Sequence, residues 1–431
     1  MLDEEINDIP GAQEYQWFRL DNAAKVFPAV LSTRVTTVFR ISVTLKEPVT
    51  VSVLQTALGN IMPRFPYFRV HLRRGLFWYY FETNPGTPEV QMENPYPCSR
   101  INLTRHVFPF RVIAYGRRIA LEVSHMLTDG AGVLTFLKAL TAEYLSLKGV
   151  PIDDWGDIFR KDDEPKAEEF EYAYRKHYRK NIPGPPKLRK AFHIPYKLEK
   201  RGIYRIITGT VSSNVILNKA KEYNVSISVF LSGLLIESIY SMYKELPVSK
   251  QQRVIRLLLA VNMRKIYPSE TMRNFTLMVT PEIDPRLGDY TFQEILEGVH
   301  HYLAMEVTEK LLSRQLSRNV GGEVHVIGRV IPRVLKDVFF ATVFKTLGEF
   351  LTTLSISNIG RVSLPDCLVK HVERFDFIQV PSPIAKKNCS IISFEESMYI
   401  SFGRVIAETN VERFFFSRMS EMGVPVKIET N

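Results

Sequence analysis

The stretch Glu122-Val-Ser-His-Met-Leu-Thr-Asp-Gly-Ala-Gly132 separates two runs of different periodicity. Before it, Arg118-Ile-Ala-Leu-Glu-Val123 reads as a strand by its period of two. After it, Val133-Leu-Thr-Phe-Leu-Lys-Ala-Leu140 has the apolar spacing of a helix. His125 therefore stands at the mouth of a strand, Asp129 stands just ahead of a helix, and Gly130 and Gly132 close the turn. A turn leaving a sheet edge can hold an imidazole rigid yet reachable, as general-base chemistry requires.

Working outward toward the N-terminus, residues 108–115 and 117–124 form a hairpin that leads into the turn. A second hairpin is expected at 68–72 and 76–82, joined through Arg73-Arg-Gly75. Its Phe77-Trp-Tyr-Tyr-Phe81 run could line a channel or fill a sheet core. Residues 36–45 alternate as a strand, and Thr50 caps a helix that stops near Gly59-Asn60 and Pro63. Prolines 85, 88, 95 and 97 mark an irregular loop. The aromatic opening segment, 14–28, has a short helical pattern that Pro28 is expected to end.

Toward the C-terminus the chain turns acidic from Asp153 to Glu171. It is then strongly basic from Arg175 to Arg201, with ten Lys/Arg against one Glu. This block carries nearly the whole excess behind the net charge of +10. Pro183-Gly-Pro-Pro186 breaks any regular element there. Residues 151–203 read as a charged, Pro-rich connection between an N-terminal subdomain, 1–150, and a C-terminal one, 204–431. The second half repeats the alternation of strands and helices. Strands fall at 204–211, 254–261, 275–280, 352–357, 372–379, 390–394 and 398–402. Ser213 and Ser226 are expected to cap two successive helices, with further helices over 290–316 and 332–350 and from Asn410.

A chain of 431 residues exceeds one ordinary core, so two subdomains are expected, with an α/β architecture of mixed sheets flanked by helices. An apolar content of 45% marks a globular protein. Cys98, Cys367 and Cys389 form no CxxC or Cys/His cluster, which points to reduced thiols and no structural metal. The acidic start shows no leader peptide, so a cytoplasmic location is expected. The most apolar stretches, 225–240 and 334–353, are interrupted by charged residues and read as amphipathic core helices, not membrane spans. No nucleic-acid motif accompanies the basic block, and a monomer is expected.

His125-Met-Leu-Thr-Asp-Gly130 resembles the HxxxDG motif of a superfamily that includes chloramphenicol acetyltransferase, alcohol acetyltransferases, plant BAHD acyltransferases and peptide-synthetase condensation domains. Ala260-Val-Asn-Met-Arg264 is similar to the family's VNxR strand, Ser269-Glu-Thr-Met-Arg-Asn-Phe275 to the loop after it, and Leu354-Ser-Ile-Ser-Asn-Ile-Gly360 to its SNxG strand. The resemblance implies two chloramphenicol acetyltransferase-like subdomains in a V-shaped pseudo-dimer, with the histidine in a channel between them. The DFGWG motif of plant BAHD enzymes is absent. Ser124 stands where condensation domains carry a second histidine, which leans toward the acyltransferase branch.

The implied activity is transfer of an acyl group from a CoA thioester to an alcohol or amine by direct attack. An imidazole with an ordinary pKa of about 6.5 suits His125 to take the acceptor's proton and return it to the departing thiolate. No GxSxG elbow offers a covalent route. Asp129 is a helix cap, an orienter of the imidazole, or, as the family pairs it, the partner of Arg264 in a buried, bidentate brace. Gly130 and Gly132 give the turn its closeness, and Ser357 and Asn358, or a backbone amide near Gly130, are candidate oxyanion or channel residues. No permanently bound cofactor or metal is expected; acyl-CoA is the co-substrate. The alternatives are a condensation-type enzyme fed by an acidic phosphopantetheinyl carrier protein, or a non-catalytic binding protein on the same scaffold.

Overall fold

The computed structural model describes residues 17–180, 182–184, 187–325 and 331–431. The acidic start, residues 14–16 of the aromatic opening and Pro185-Pro186 of the proline cluster lie outside the described residues.

One sheet runs in the order Val372–Gln379, Val38–Leu45, Arg118–Ser124, Phe110–Tyr115, Val90–Met92. All its pairs are antiparallel except the last. The larger sheet runs Thr276–Val279, Ile255–Asn262, Leu354–Val362, Lys387–Phe394, Ser397–Arg404, Arg205–Ser212, Lys427–Thr430, and Glu282–Ile283 also pairs with Ile255–Asn262. Leu354–Val362 lies parallel to both neighbours, so this sheet is mixed. A small antiparallel sheet joins Trp17–Arg19, Tyr79–Thr83 and Val70–Arg74. Each large sheet has its own apolar core, and these cores are the centres of two lobes.

The expected strand at 372–379 forms, but it belongs to the first lobe. It pairs antiparallel with Val38–Leu45, and Phe375 and Phe377 enter that lobe's core. Leu354–Val362 makes the crossing that leads there: Leu354 and Ile356 pack in the second core and Val362 in the first. Its register against Lys387–Phe394 shifts between Asn358 and Arg361. Gly360 sits in this bulge at φ 91°, a left-handed conformation that costs glycine little.

The two apolar stretches behave differently. The helix Ile227–Lys244 is buried almost all round, so its apolar run is covered on several sides and not on one stripe. The helix Phe292–Glu306 packs so close that a Cβ at Gly233 would come within 2.5 Å of Leu296 Cδ2. The helix Arg333–Val343 reverses the expectation of a core helix. Val334, Leu335, Val338 and Phe339 are each more than 60% exposed, while Arg333 and Asp337 on another face bond Tyr79 Oη of the first lobe. Among the described residues no single helix is long and apolar enough to cross a membrane; one pair, Ser213–Glu222 and Ile227–Lys244, meets that test only together and is bent by 82°.

Smaller corrections have local causes. Pro28 lies in the first turn of the helix Phe27–Val30, where its missing N–H costs nothing, so it does not end the helix. Ser212, not Ser213, caps Ser213–Glu222, while Ser226 caps Ile227–Lys244 as expected. The helical pattern at 290–316 splits into Phe292–Glu306 and Glu309–Val324. The described part of the connection also packs on both lobes. Glu169 is buried and bidentate with Arg64 (2.6 and 2.8 Å), and the Tyr174 hydroxyl donates to the Thr276 carbonyl (2.6 Å).

Candidate active site

The strand Arg118–Ser124 is fixed from its far face before it delivers the histidine. Glu122, fully buried, accepts from Arg40 Nε (2.8 Å) and Nη2 (2.6 Å) and from Arg111 Nε (2.7 Å). Beyond the strand, His125 N donates to Thr37 O (2.8 Å), and the Asn274 amide donates to His125 O (3.0 Å). The turn continues through Leu127, whose carbonyl accepts from the Tyr67 hydroxyl (2.8 Å). It ends at Asp129, the N-cap of the helix Gly130–Leu147.

Asp129 combines two of the roles open to it. Its Oδ1 accepts from the amides of Ala131 (3.2 Å) and Gly132 (3.4 Å), as a capping carboxylate does. Its Oδ2 accepts from Arg264 Nη1 (2.8 Å), Phe275 N (2.9 Å) and Thr276 Oγ1 (3.1 Å). Burial works against its charge, but Arg264 and the surrounding amides outweigh it and hold the carboxyl below its usual range. Both oxygens are committed to capping and bracing.

The Asp129–Arg264 contact is only partly buried and is not bidentate, which corrects the expected geometry. Only Nη1 reaches the carboxylate. Nε and Nη2 donate to the Thr271 carbonyl (3.2 and 2.9 Å), and Nη2 also reaches the Arg273 carbonyl (2.6 Å). The guanidinium thus ties the 269–275 loop and the helix cap together.

The glycines differ in what they permit. Neither takes a positive φ. A Cβ on Gly132 would fall 2.1 Å from Thr128 Oγ1 and 2.7 Å from the Met272 carbonyl, whereas one on Gly130 would meet only the Ile359 side chain, at 3.1 Å. Gly132 is required by close packing against the 269–275 loop. Gly130 instead lets the flexible Ile359 side chain of the crossing strand approach the turn closely.

His125, Asp129, Gly130, Arg264, Ser357 and Asn358 all line one cavity of about 900 Å³. Its walls come from both lobes. The first lobe supplies one face of Gly130–Leu147 through Ala131, Leu134, Thr135 and Lys138, and the second supplies Ser228, Leu231 and Ser232 on the helix Ile227–Lys244. Phe77-Trp-Tyr-Tyr-Phe81 does not line it: Phe81 is core, and Lys336 stacks on Trp78 (3.5 Å to the ring centre). Among the described residues no cluster of metal-ligating side chains occurs.

The imidazole lies against Phe39, ring centres 4.2 Å apart, and Phe27, 5.7 Å. Burial pushes its pKa down to about 4, against the opposing pull of Asp129, Asn274 and the Thr128 backbone. His125 is therefore neutral at physiological pH, the form that accepts a proton.

Sequence reasoning passed over a second buried layer. Asp21 accepts from both the side chain (2.9 Å) and the backbone (3.3 Å) of Asn274, and Arg273 lies over Tyr172 (5.0 Å). Burial raises the Asp21 carboxyl above its usual range against the pull of Arg273 and Asn274. The available signal was the polar pair Asp21-Asn22 within an aromatic segment and Arg273-Asn274 within the loop already singled out.

No family model and no curated protein matches the sequence. Solved structures do match the fold. The trichothecene 15-O-acetyltransferase TRI3 from Fusarium sporotrichioides superposes with a TM-score of 0.60 at 11% identity, covering 96% of each chain. TRI101 from F. sporotrichioides, complexed with coenzyme A and T-2, gives 0.61 at 12% identity over 95% of this chain and 99% of its own. The first condensation domain of the calcium-dependent antibiotic synthetase, with a substrate analogue, gives 0.61 at 14% over 96% and 99%. The chain thus has the two-lobed α/β fold of these acetyltransferases and this condensation domain.

Proposed function

We propose that the protein moves an acyl group from a thioester to a hydroxyl or amino group, with His125 as general base. The observation that carries this reading is a neutral imidazole, backed by two phenylalanine rings, on the wall of a cavity that both lobes build. The acceptor's oxygen or nitrogen attacks the carbonyl carbon while its proton passes to His125. The tetrahedral intermediate collapses with cleavage of the C–S bond, and the imidazolium returns the proton to the thiolate. Ester or amide and free thiol are the products, and no acyl-enzyme forms.

An imidazole this weakly basic does not deprotonate a free alcohol. It takes the proton as the new bond forms and the attacking atom becomes acidic, so proton transfer follows bond formation. Ser357 and Asn358 are the side chains we assign to the oxyanion. Asn358 Oδ1 is occupied by Gly360 N (2.8 Å), which leaves its amide N–H groups to donate. Asp129, Gly130 and Arg264 support the turn and do not touch the reacting atoms.

Thr135, Ser228 and Ser232 put hydroxyl-bearing side chains on the cavity wall, which suits a pantetheine arm. Coenzyme A and a carrier protein share that arm. Tyr174 also lines the cavity, next to the exposed cations Arg175 and Lys176, a surface that suits nucleotide phosphates or an acidic carrier. Thiol release from acetyl-CoA, against release from an acyl-loaded carrier protein, over a panel of alcohols and amines tests the reading. Turnover lost in His125→Ala supports it; a rate unaffected by that substitution overturns it.

A further inference from the structure

Two buried polar atoms in the cavity wall have no hydrogen-bond partner, Ser232 Oγ and Gln379 Oε1. Unpaired buried polar atoms are rare in folded proteins, because each forfeits its hydration without return. On a cavity wall the natural partner is a ligand. Ser232 is among the hydroxyl-bearing side chains already assigned to the donor. Gln379 belongs to a strand of the first lobe's sheet and has no part in the scheme above.

Gln379 ends the strand that crosses into the first lobe's sheet. It pairs with Phe39, which in turn pairs with Val123, two residues before the histidine. Paired residues share a face, and strands are spaced by about 4.8 Å, so the Gln379 side chain stands one strand beyond Phe39 on the side where Phe39 meets the imidazole. Phe377, on the same face, meets Phe39 edge-on at 6.3 Å. The wall beside His125 is therefore three phenylalanine rings, Phe27, Phe39 and Phe377, with one carboxamide at its end. The Gln379 backbone carbonyl accepts from the Tyr204 hydroxyl, which fixes the main chain from which the carboxamide projects.

We propose that Gln379 binds the acceptor through a second polar group, and that the acceptor class is an apolar, ring-sized alcohol or amine carrying a further hydroxyl or amino group beyond the one acylated. The rings take the hydrocarbon body, and the carboxamide, which both donates and accepts, takes the second group. A carboxamide oxygen without a partner discriminates well against ligands that leave it unpaired. This rests on the acyl-transfer reading, which supplies His125 as the point where the first group reacts.

The test uses cyclohexanedimethanol and cyclohexylmethanol as acceptors with acetyl-CoA. Wild-type protein should favour the diol in kcat/KM by about five- to tenfold beyond the statistical factor of two, the scale of one hydrogen bond. In Gln379→Leu, with its melting temperature checked, the preference should fall to the statistical factor. In Gln379→Glu it should shift toward the aminomethyl analogue of the diol, since a carboxylate attracts an ammonium group. Calorimetric binding of both alcohols to His125→Ala protein supplies a readout independent of turnover. Equal binding and equal turnover of diol and mono-alcohol by protein with Gln379 intact would overturn the inference. Preferential diol binding without acylation would sink the acyl-transfer reading and leave Gln379 as the recognition residue.

Discussion

Arg264 Nη1 lies 2.8 Å from Asp129 Oδ2 across 135 positions of sequence, and the same guanidinium bonds the carbonyls of Thr271 and Arg273. One cation therefore fastens the cap of the helix Gly130–Leu147 to a loop of the second lobe.

Asp129→Ala should lower stability by about 3–5 kcal/mol, because it removes the carboxylate from a partly buried guanidinium and uncaps a helix. Arg264→Lys keeps the charge but cannot reach the carboxylate and two carbonyls at once. Its melting temperature should fall between those of wild type and Asp129→Ala. A thermal melt of the three proteins decides this, and a normal melting temperature for Asp129→Ala would show the brace to be unimportant.

His125→Ala should keep the fold and slow turnover by roughly 10²–10⁴, the usual scale for loss of a general base. With the imidazole pKa near 4, the wild-type rate should stay level as pH falls from neutrality to about 5 and drop only toward 4. A kcat profile that breaks near 6.5 would show the imidazole to be solvated in the working enzyme.

The same imidazole affects stability. Its folded pKa is below the unfolded value of about 6.5, so the stability it contributes is present above 6.5 and is lost as pH falls toward 4. Asp129, also depressed, contributes stability above its unfolded value of about 3.9 that is lost as pH falls through its folded one. Denaturant midpoints against pH should therefore decline from about pH 6.5 downward. The decline between 6.5 and 4 should be shallower in His125→Ala.

Gly132→Ala should cost stability on the scale of core overpacking, about 1–3 kcal/mol, since its Cβ has rigid neighbours in the Thr128 side chain and the Met272 carbonyl. Gly130→Ala should be milder, because the Ile359 side chain can turn aside. Urea unfolding of the two variants would show whether this order holds.

Asn274→Ala removes bonds to Asp21 and to the His125 carbonyl, and should cost about 1–3 kcal/mol for the polar groups left unpaired. Turnover should fall while KM for the thioester holds, since the loss is in the placement of the imidazole. Steady-state kinetics with the thioester varied would check that split.

The parts of the site carried by local pattern were legible from sequence. A strand-to-helix switch with His125 and Asp129 at its seam is visible in period alone, and Arg264 and the Ser357-Asn358 pair came from motif resemblance. What surrounds the imidazole was not legible. Phe27, Phe39 and Gln379 are an aromatic in a short helix, an apolar strand residue and a polar strand end, and only tertiary pairing brings them to the cavity that the ring lines. The bidentate expectation failed for a similar reason: carbonyls at Thr271 and Arg273 compete for the guanidinium, and a carbonyl leaves no mark in sequence. Period likewise marks 332–350 as amphipathic without saying whether anything covers its apolar side.

The strand Val372–Gln379 stitches the lobes together, because it is encoded late and laid against Val38–Leu45. Severing the chain in its charged middle would not release two self-sufficient pieces. The front piece would keep a naked ribbon margin along Val38–Leu45, prone to sticking to its own kind, and the rear piece would carry an apolar ribbon with nowhere to lie. Engineers who want to split, permute or tether this molecule should place their junctions elsewhere, and anyone expressing the front piece alone should expect inclusion bodies.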